Sequence, residues 1–234
     1  MWDERYNTTE YVYGTDPNEF LAGIVTEIPR GRTLCIAEGE GRNAVFLAEH
    51  GHEVVAVDSS AVGLEKAGRL ASERGVKIET VVVDLAHFHI EPDSWDAVVS
   101  IFAHVPADIR TALHRKIVHG LRGGGMLVLE AYTPEQIDLG TGGPAVAEMT
   151  MSLDALQQEL DALKETAGKQ VVVLHFSPTE HPGSLDNNYN TNQAFATDAC
   201  EKVLGERFGR MIGYRVWTNG DRFFLTHISC ETKL

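Results

Sequence analysis

The feature that most constrains this chain is a set of five short apolar runs, each leading into a turn or a segment of helical period. The runs are 33–37, 53–58, 76–83, 95–101 and 126–131, and polar interruptions are few. A strand with one face in water alternates polar and apolar residues, whereas a run without alternation is buried on both faces. Between the runs lie 42–50, 61–74 and 106–121, whose apolar spacing is helical. Gly51 and Gly75 stop the first two, and Pro106 suits the first turn of the third. Such alternation implies right-handed crossovers and a doubly wound parallel sheet. Ligands bind these sheets outside the carboxyl ends of the strands, where the strand order reverses. The residues at those ends are 38–43, Asp58 and Ser59, Asp84 and Leu85, 101–104, and Tyr132 with Thr133.

Beyond Thr133 the pattern loosens. Ser152 reads as the N-cap of a helix with Leu153, Leu156, Leu160 and Leu163 on one stripe, ending at Gly168. Residues 170–176 read as a strand, 177–192 as a polar loop and 194–208 as a helix. Residues 215–217 and 222–225 read as a hairpin around Asn219-Gly220. The expected fold class is α/β: a doubly wound, Rossmann-like, mostly parallel sheet with antiparallel C-terminal strands. A chain of 234 residues is expected to form one domain. Its parts are an N-terminal lid or helix (1–32), a cofactor-binding core (33–168) and a C-terminal strand–helix–hairpin region (169–234).

Charge narrows the partners. There are 34 acidic and 20 basic side chains, giving a net charge of −14. Duplex nucleic acid and anionic membranes need clustered Lys and Arg, so neither is an expected partner. The three cysteines are widely spaced and make no metal knuckle, and no metal site is expected. The start carries no apolar signal segment and no run is long enough to span a bilayer, so the expected compartment is the cytoplasm.

The loop Glu38-Gly39-Glu40-Gly41 follows a strand and opens a helix. Glycines there let the backbone approach a ligand closely. Asp58 closes the next strand 17 residues past Gly41, where a carboxylate can accept from the ribose hydroxyls of an adenosine. A dinucleotide would need its pyrophosphate at this loop. Two carboxylates about 5 Å apart repel by roughly 3 kcal/mol at an effective dielectric near 20, and together they disfavour a pyrophosphate. S-adenosylmethionine carries no phosphate and adds a sulfonium and an ammonium, which an acidic loop suits. Asp84 ends the third strand, placed to accept from the adenine amine.

At these residues the sequence resembles the class I S-adenosylmethionine-dependent methyltransferases, close to the tellurite-resistance and thiopurine type. The matching stretches are 34–44, 54–60, 95–106, 127–134 and 140–144, and the N-terminal Trp-Asp-Glu-Arg-Tyr at 2–6 matches too. The resemblance covers roughly the first 165 residues, and the remaining C-terminal stretch departs from the family. It implies that Gly39 and Gly41 line the methionine portion of S-adenosylmethionine and that Asp58 holds the ribose. It further implies that Asp84 and Leu85 frame the adenine and that Ile101 begins the wall near the reactive methyl. Glu38, Glu40, Asn43 and Ser59 complete the expected cofactor set, with Asn43 capping the helix or holding the cofactor carboxylate.

On the acceptor side, His104 follows the fourth strand and is the candidate base, since an imidazole titrates near neutral pH. Tyr13, in an N-terminal lid, and Phe102 and Tyr132, at the ends of the fourth and fifth strands, are the candidate substrate contacts. The expected activity is methyl transfer by in-line displacement to a small molecule bearing a thiol, a chalcogen oxyanion, a hydroxyl or an amine. Two alternatives stand beside it. One is a non-catalytic cofactor-binding or assembly module, in which the C-terminal region covers the acceptor pocket. The other is a nicotinamide oxidoreductase, which the acidic loop opposes. The sequence leaves the oligomeric state open, a homodimer included.

Overall fold

The structure is a computed structural model that describes residues 2–134, 136–139 and 143–159 together with the strands 170–176, 211–219 and 222–230. The N-terminal helices α1 (Trp2–Tyr6) and α2 (Glu19–Ile24) precede the first strand. The core then alternates: β1 (Arg32–Ile36), α3 (Arg42–Glu49), β2 (Glu53–Asp58), α4 (Ala61–Glu73), β3 (Glu79–Val82), β4 (Trp95–Ile101), α5 (Ala107–Gly120) and β5 (Leu121–Tyr132). The short helices α6 (Gln136–Leu139) and α7 (Leu153–Glu159) follow, then β6 (Gln170–Phe176), β7 (Met211–Asn219) and β8 (Arg222–Cys230).

The eight described strands form one sheet in the order β3-β2-β1-β4-β5-β6-β7-β8. The pairings from β3 across to β6 are parallel, and β7 and β8 add antiparallel. The mostly parallel sheet with antiparallel C-terminal strands is therefore present. The strand order reverses between β1 and β4, which places the binding crevice at their carboxyl ends.

The unbroken apolar runs have the cause expected of them. Leu34, Ile36, Val55, Val57, Val98, Leu127 and Leu129 pack on one face with Leu113, Ile117 and Val118 of α5 and Leu156 of α7. Cys35, Val54, Ala56, Ala97, Val99, Met126 and Val128 pack on the other with Phe20, Leu21 and Ile24 of α2, Leu47 of α3 and Leu64 of α4. Helices thus cover both faces, and the alternate residues of each strand serve two separate cores.

Some boundaries differ from the sequence reading. The third strand is expected over 76–83 but spans only Glu79–Val82, at the sheet edge. Val76 and Ile78 are apolar because they pack against Val45, Leu70 and Ala71 between α3 and α4. The fifth strand begins at Leu121 rather than 126, because Gly123–Gly125 are taken up in a register shift against β4. Ser152 caps α7 as expected, its Oγ accepting from Ala155 N at 3.2 Å. The hairpin is longer than expected, with Asn219 paired to Arg222. The helix expected at 194–208 lies outside the described residues. Among those residues no helix is long and apolar enough to cross a membrane, and no group of three metal-binding side chains occurs.

Gly41 begins α3 in the left-handed region, with φ 91°, and a Cβ there would overlap the side chain of Ala67 and lie 2.6 Å from its Cα on α4. Gly41→Ala is therefore expected to destabilise the protein by about 2–4 kcal/mol, from backbone strain plus overpacking. Urea denaturation reads this directly, and an unchanged midpoint would contradict the close α3–α4 contact.

Candidate functional site

The chain leaves β1 through Ala37, whose φ of 50° turns the backbone sharply into the glycine loop. Gly39 follows with φ 62°, and a Cβ on it would lie 2.6 Å from the Tyr6 hydroxyl. The Gly39 amide donates to Asp58 Oδ2 at 2.9 Å, while Asp58 Oδ1 accepts from Ser60 N at 2.8 Å. Burial pushes the Asp58 carboxyl above its ordinary range. Gly41 is the N-cap of α3 but has no side chain to cap with. Glu38 supplies the cap instead: its Oε1 accepts from Asn43 N at 3.0 Å and Ala44 N at 2.8 Å. Burial lifts the Glu38 carboxyl to about 7 in spite of those two bonds.

Glu40 turns the other way. It is buried in an ion pair with the ammonium of Lys66, itself only 1% exposed. Its Oε2 accepts from Val12 N at 2.8 Å and Tyr13 N at 3.4 Å. Lys66 Nζ also donates to the carbonyls of Tyr6, Thr8 and Glu10, at 3.3, 3.2 and 2.7 Å. The expectation that Glu40 faces a bound cation is corrected here, because Lys66 already neutralises it. The Glu40–Lys66 pair fastens the N-terminal segment over the loop. Tyr6 lies beneath that segment, stacked on Trp2 at 5.5 Å and edge-on to Tyr13 at 6.5 Å. Asp3 adds a further tie, accepting from Ser60 Oγ at 2.5 Å above the N-terminus of α4.

A second buried carboxyl lies on β5. Glu130 is 1% exposed, and its Oε2 accepts from Asn18 Nδ2 at 2.6 Å. Its Oε1 is buried without a hydrogen-bond partner among the described residues. Asn18 N donates to Asn43 Oδ1 at 2.9 Å, and Asn18 Oδ1 caps α2 through Leu21 N at 3.0 Å. Asn43 therefore links α2 to α3. Burial pushes the Glu130 carboxyl up to about 8.

Across the crevice, three rings lie nearly parallel at the ends of β4 and β5. Phe102 stacks on Tyr132 at 4.8 Å, and His104 stacks on Tyr132 at 5.4 Å. Phe102 holds φ 52°, and its amide donates to Glu130 O at 2.8 Å. His104 Nδ1 lies 3.0 Å from Met149 O, so Nδ1 carries the proton and donates it. Nε2 then presents a lone pair, and it is buried without a partner among the described residues. Burial, followed by the charge of Arg110, holds the imidazole down at about 4, so it is neutral at pH 7.

The other expected site residues are spread along the same edge of the sheet. Ser59 and Asp84 are exposed, and Asp84 Oδ1 accepts from Ala86 N at 2.9 Å in a local turn. Leu85 and Ile101 are buried, on opposite faces of the sheet. Tyr13 is half-buried under the guanidinium of Arg5, 5.4 Å from its ring. The sequence reading passed over Glu130, Lys66, Arg110 and Glu159. Glu130 had one signal, a lone acid inside the apolar run 126–131.

This geometry discriminates between adenosine cofactors. A pyrophosphate needs free N–H groups at the start of α3. Glu38 has taken two of them and Asp58 the amide of Gly39, so the loop fits a phosphate-free adenosine. Comparison with known proteins agrees. Residues 33–125 match the family model described as a methyltransferase domain. The chain is 27% identical over 132 residues to the 2-heptyl-1-hydroxyquinolin-4(1H)-one methyltransferase of Mycobacteroides abscessus, covering 53% of this chain and 58% of that protein. It thus spans little more than half the length of that relative. Two solved structures share the fold. One, from work on the conversion of a disulfide bond into a thioacetal group during echinomycin biosynthesis, has a TM-score of 0.57 at 15% identity, over 97% of this chain and 87% of that one. The other, the YcgJ protein of Bacillus subtilis, has a TM-score of 0.55 at 19% identity, over 66% and 69%. The fold and the loop are similar to those of class I methyltransferases. The match of residues 33–125 to a methyltransferase domain supports S-adenosylmethionine as the cofactor.

The raised Glu130 carboxyl has a consequence for stability. Between the unfolded value near 4.5 and the folded value of about 8, the folded state holds a proton that the unfolded state has lost. Stability must then fall as pH rises through that window, by up to about 1.4 kcal/mol per pH unit for one full proton. Glu38 contributes in the same direction up to about 7. Glu130→Gln mimics the protonated acid, so its urea midpoint is expected to fall less than the wild type's from about pH 5 to about pH 8. Equal slopes for the two proteins would show that Glu130 is ionised in the folded state.

Proposed function

We propose that this protein transfers a methyl group from S-adenosylmethionine to an acidic hydroxyl on a small, flat heteroaromatic molecule. The observation that carries this reading is the buried lone pair of His104 Nε2, unpartnered among the described residues, beside the rings of Phe102 and Tyr132. S-adenosylmethionine, when bound, supplies a methyl group already activated on a sulfonium. The protein's part is then alignment, exclusion of water and disposal of one proton.

Asp58 would hold the ribose hydroxyls, since each of its oxygens already takes one backbone N–H and has acceptor capacity left. Glu38 Oε2 is the oxygen not used in capping α3, and it suits an ammonium. A cation beside it would favour the ionised carboxylate. Asp84 and Leu85 would border the adenine, with Ser59 beside the ribose. The methionine portion would run along Gly39, toward the wall at Ile101. Tyr13 and the segment fastened by Glu40 and Lys66 would cover the cofactor from the N-terminal side.

A neutral imidazole whose only free nitrogen is an acceptor selects for a donor. A thiolate or a chalcogen oxyanion would face Nε2 with lone pair against lone pair, whereas a hydroxyl donates to it. As the methyl–oxygen bond forms, the hydroxyl proton becomes strongly acidic and passes to Nε2. A base held at about 4 is weak. It is therefore suited to hydroxyls that are themselves acidic, such as phenols near pKa ~10, rather than to aliphatic alcohols. The Mycobacteroides abscessus relative is named for a substrate bearing a hydroxyl on a quinolone ring. A flat acceptor also suits a site walled by near-parallel rings.

His104→Ala tests this. With S-adenosylmethionine and 2-heptyl-1-hydroxyquinolin-4(1H)-one or simple phenols as probes, kcat is expected to fall on the order of 10²-fold, with affinity for S-adenosylhomocysteine unchanged. Wild-type turnover in the variant, or faster turnover of thiols than of hydroxyls, would overturn the reading. Cofactor binding without turnover over the whole panel would favour the non-catalytic module.

A further inference from the structure

The inner surface of α5 carries an ion cluster that the reaction as described does not use. Arg110 is buried, and its Nε lies 3.1 Å from both oxygens of Glu159 on α7, with Nη2 2.8 Å from Oε1. Glu159 also accepts from Thr111 Oγ1 at 3.2 Å, and His114 Nδ1 lies 2.7 Å from its Oε2. Burial alone would raise this carboxyl, but the bonds from His114 and Arg110 outweigh it and hold it down at about 2. The fork is therefore locked in place and its remaining nitrogen is aimed. Arg110 Nη1 donates to Glu148 O at 3.2 Å and to Thr150 O at 3.0 Å.

The carbonyl between those two is Met149 O, the acceptor for His104 Nδ1. Three successive carbonyls, of residues 148, 149 and 150, are thus held by Arg110, His104 and Arg110. The next residue closes the strap on the ring stack, with Met151 N donating to Tyr132 O at 2.9 Å. A short strap with no interior of its own is fixed at every residue from Glu148 to Met151.

We propose that Arg110, clamped by Glu159, is a positioning residue that fixes Met149 O against His104 and so keeps Nε2 a lone pair aimed at the acceptor hydroxyl. This rests on the reading of His104 given above. Two physical points favour it over a purely structural role. A buried ion pair contributes little net stability compared with apolar packing of the same volume, so stability alone is a poor reason to keep one. Its better-attested use is to specify a geometry. The tautomer of a neutral imidazole is set by the bond its other nitrogen makes, and here the acceptor held at Nδ1 is Met149 O, which puts the lone pair on Nε2.

The test uses the full chain with S-adenosylmethionine bound, and reads the two ring nitrogens of His104 by 15N NMR alongside kcat on the quinolone probe. Wild type is expected to show the single Nδ1–H tautomer. Arg110→Lys keeps the charge but loses the fork. Arg110→Met/Glu159→Met removes both charges together and leaves neither partner buried alone. In both variants His104 is expected to populate both tautomers, and kcat to drop by roughly 10–10²-fold, as a displaced catalytic group costs. KM for S-adenosylmethionine is expected to hold. A folded variant that keeps the single Nδ1–H tautomer and wild-type kcat overturns the proposal. Wild-type turnover in His104→Ala would overturn the hydroxyl reading instead, and the tautomer measurement would still decide whether Arg110 positions the ring.

Discussion

The rest of the site depends on one hydrogen-bonding arrangement: the Glu38 carboxylate seated on the first amides of α3. A helix start leaves N–H groups that must find acceptors, and Gly41 brings no side chain to serve them. Many Rossmann-type folds leave that task to a phosphate. Here an internal carboxylate performs it, which closes the helix start to a pyrophosphate and leaves an acidic surface for a cation. The cost is visible in the Glu38 carboxyl, lifted to about 7 by burial. A bound ammonium would repay part of it by favouring the charged form.

Three adjacent residues of the loop then divide the work. Glu38 faces the helix start, Gly39 lets the Tyr6 ring approach and gives its amide to Asp58, and Glu40 turns away to Lys66. Lys66 gathers three carbonyls of the N-terminal segment, so the glycine loop also fastens that segment in place. On the opposite side of the crevice, Phe102 holds a left-handed backbone like that of Ala37. These two lie just beyond β1 and β4, where the strand order reverses. Strain of this kind, of about 1–3 kcal/mol each, persists where the surrounding structure over-determines it.

Much of this was legible in the sequence. Unbroken apolar runs signalled buried parallel strands, and the faces they serve are those that α2, α3 and α4 on one side and α5 and α7 on the other now cover. Asp58 lies at the end of β2, as the sequence places it. What escaped is of one kind. A sequence gives the position of a charge but not the direction its side chain takes. Glu38 and Glu40 read as a matched pair and turn out to have unrelated partners, one of them the side chain of Lys66 on another helix. Arg110 and Glu159 are 49 residues apart, and nothing local marks either as the other's counter-ion. Val76 and Ile78 read as strand because apolar residues between helices look the same as apolar residues in an edge strand.

The two sides of the crevice therefore use buried polar groups in opposite ways. At the glycine loop, Glu38 and Asp58 are satisfied by backbone amides; at the ends of β4 and β5, one imidazole nitrogen of His104 is satisfied while the other has no partner among the described residues. The first arrangement is what commits the loop to a phosphate-free adenosine. Its most direct test is calorimetric titration of the full chain with S-adenosylhomocysteine and, separately, with NAD. Binding of S-adenosylhomocysteine with no detectable binding of NAD is the expected result. Binding of NAD with none of S-adenosylhomocysteine would contradict it.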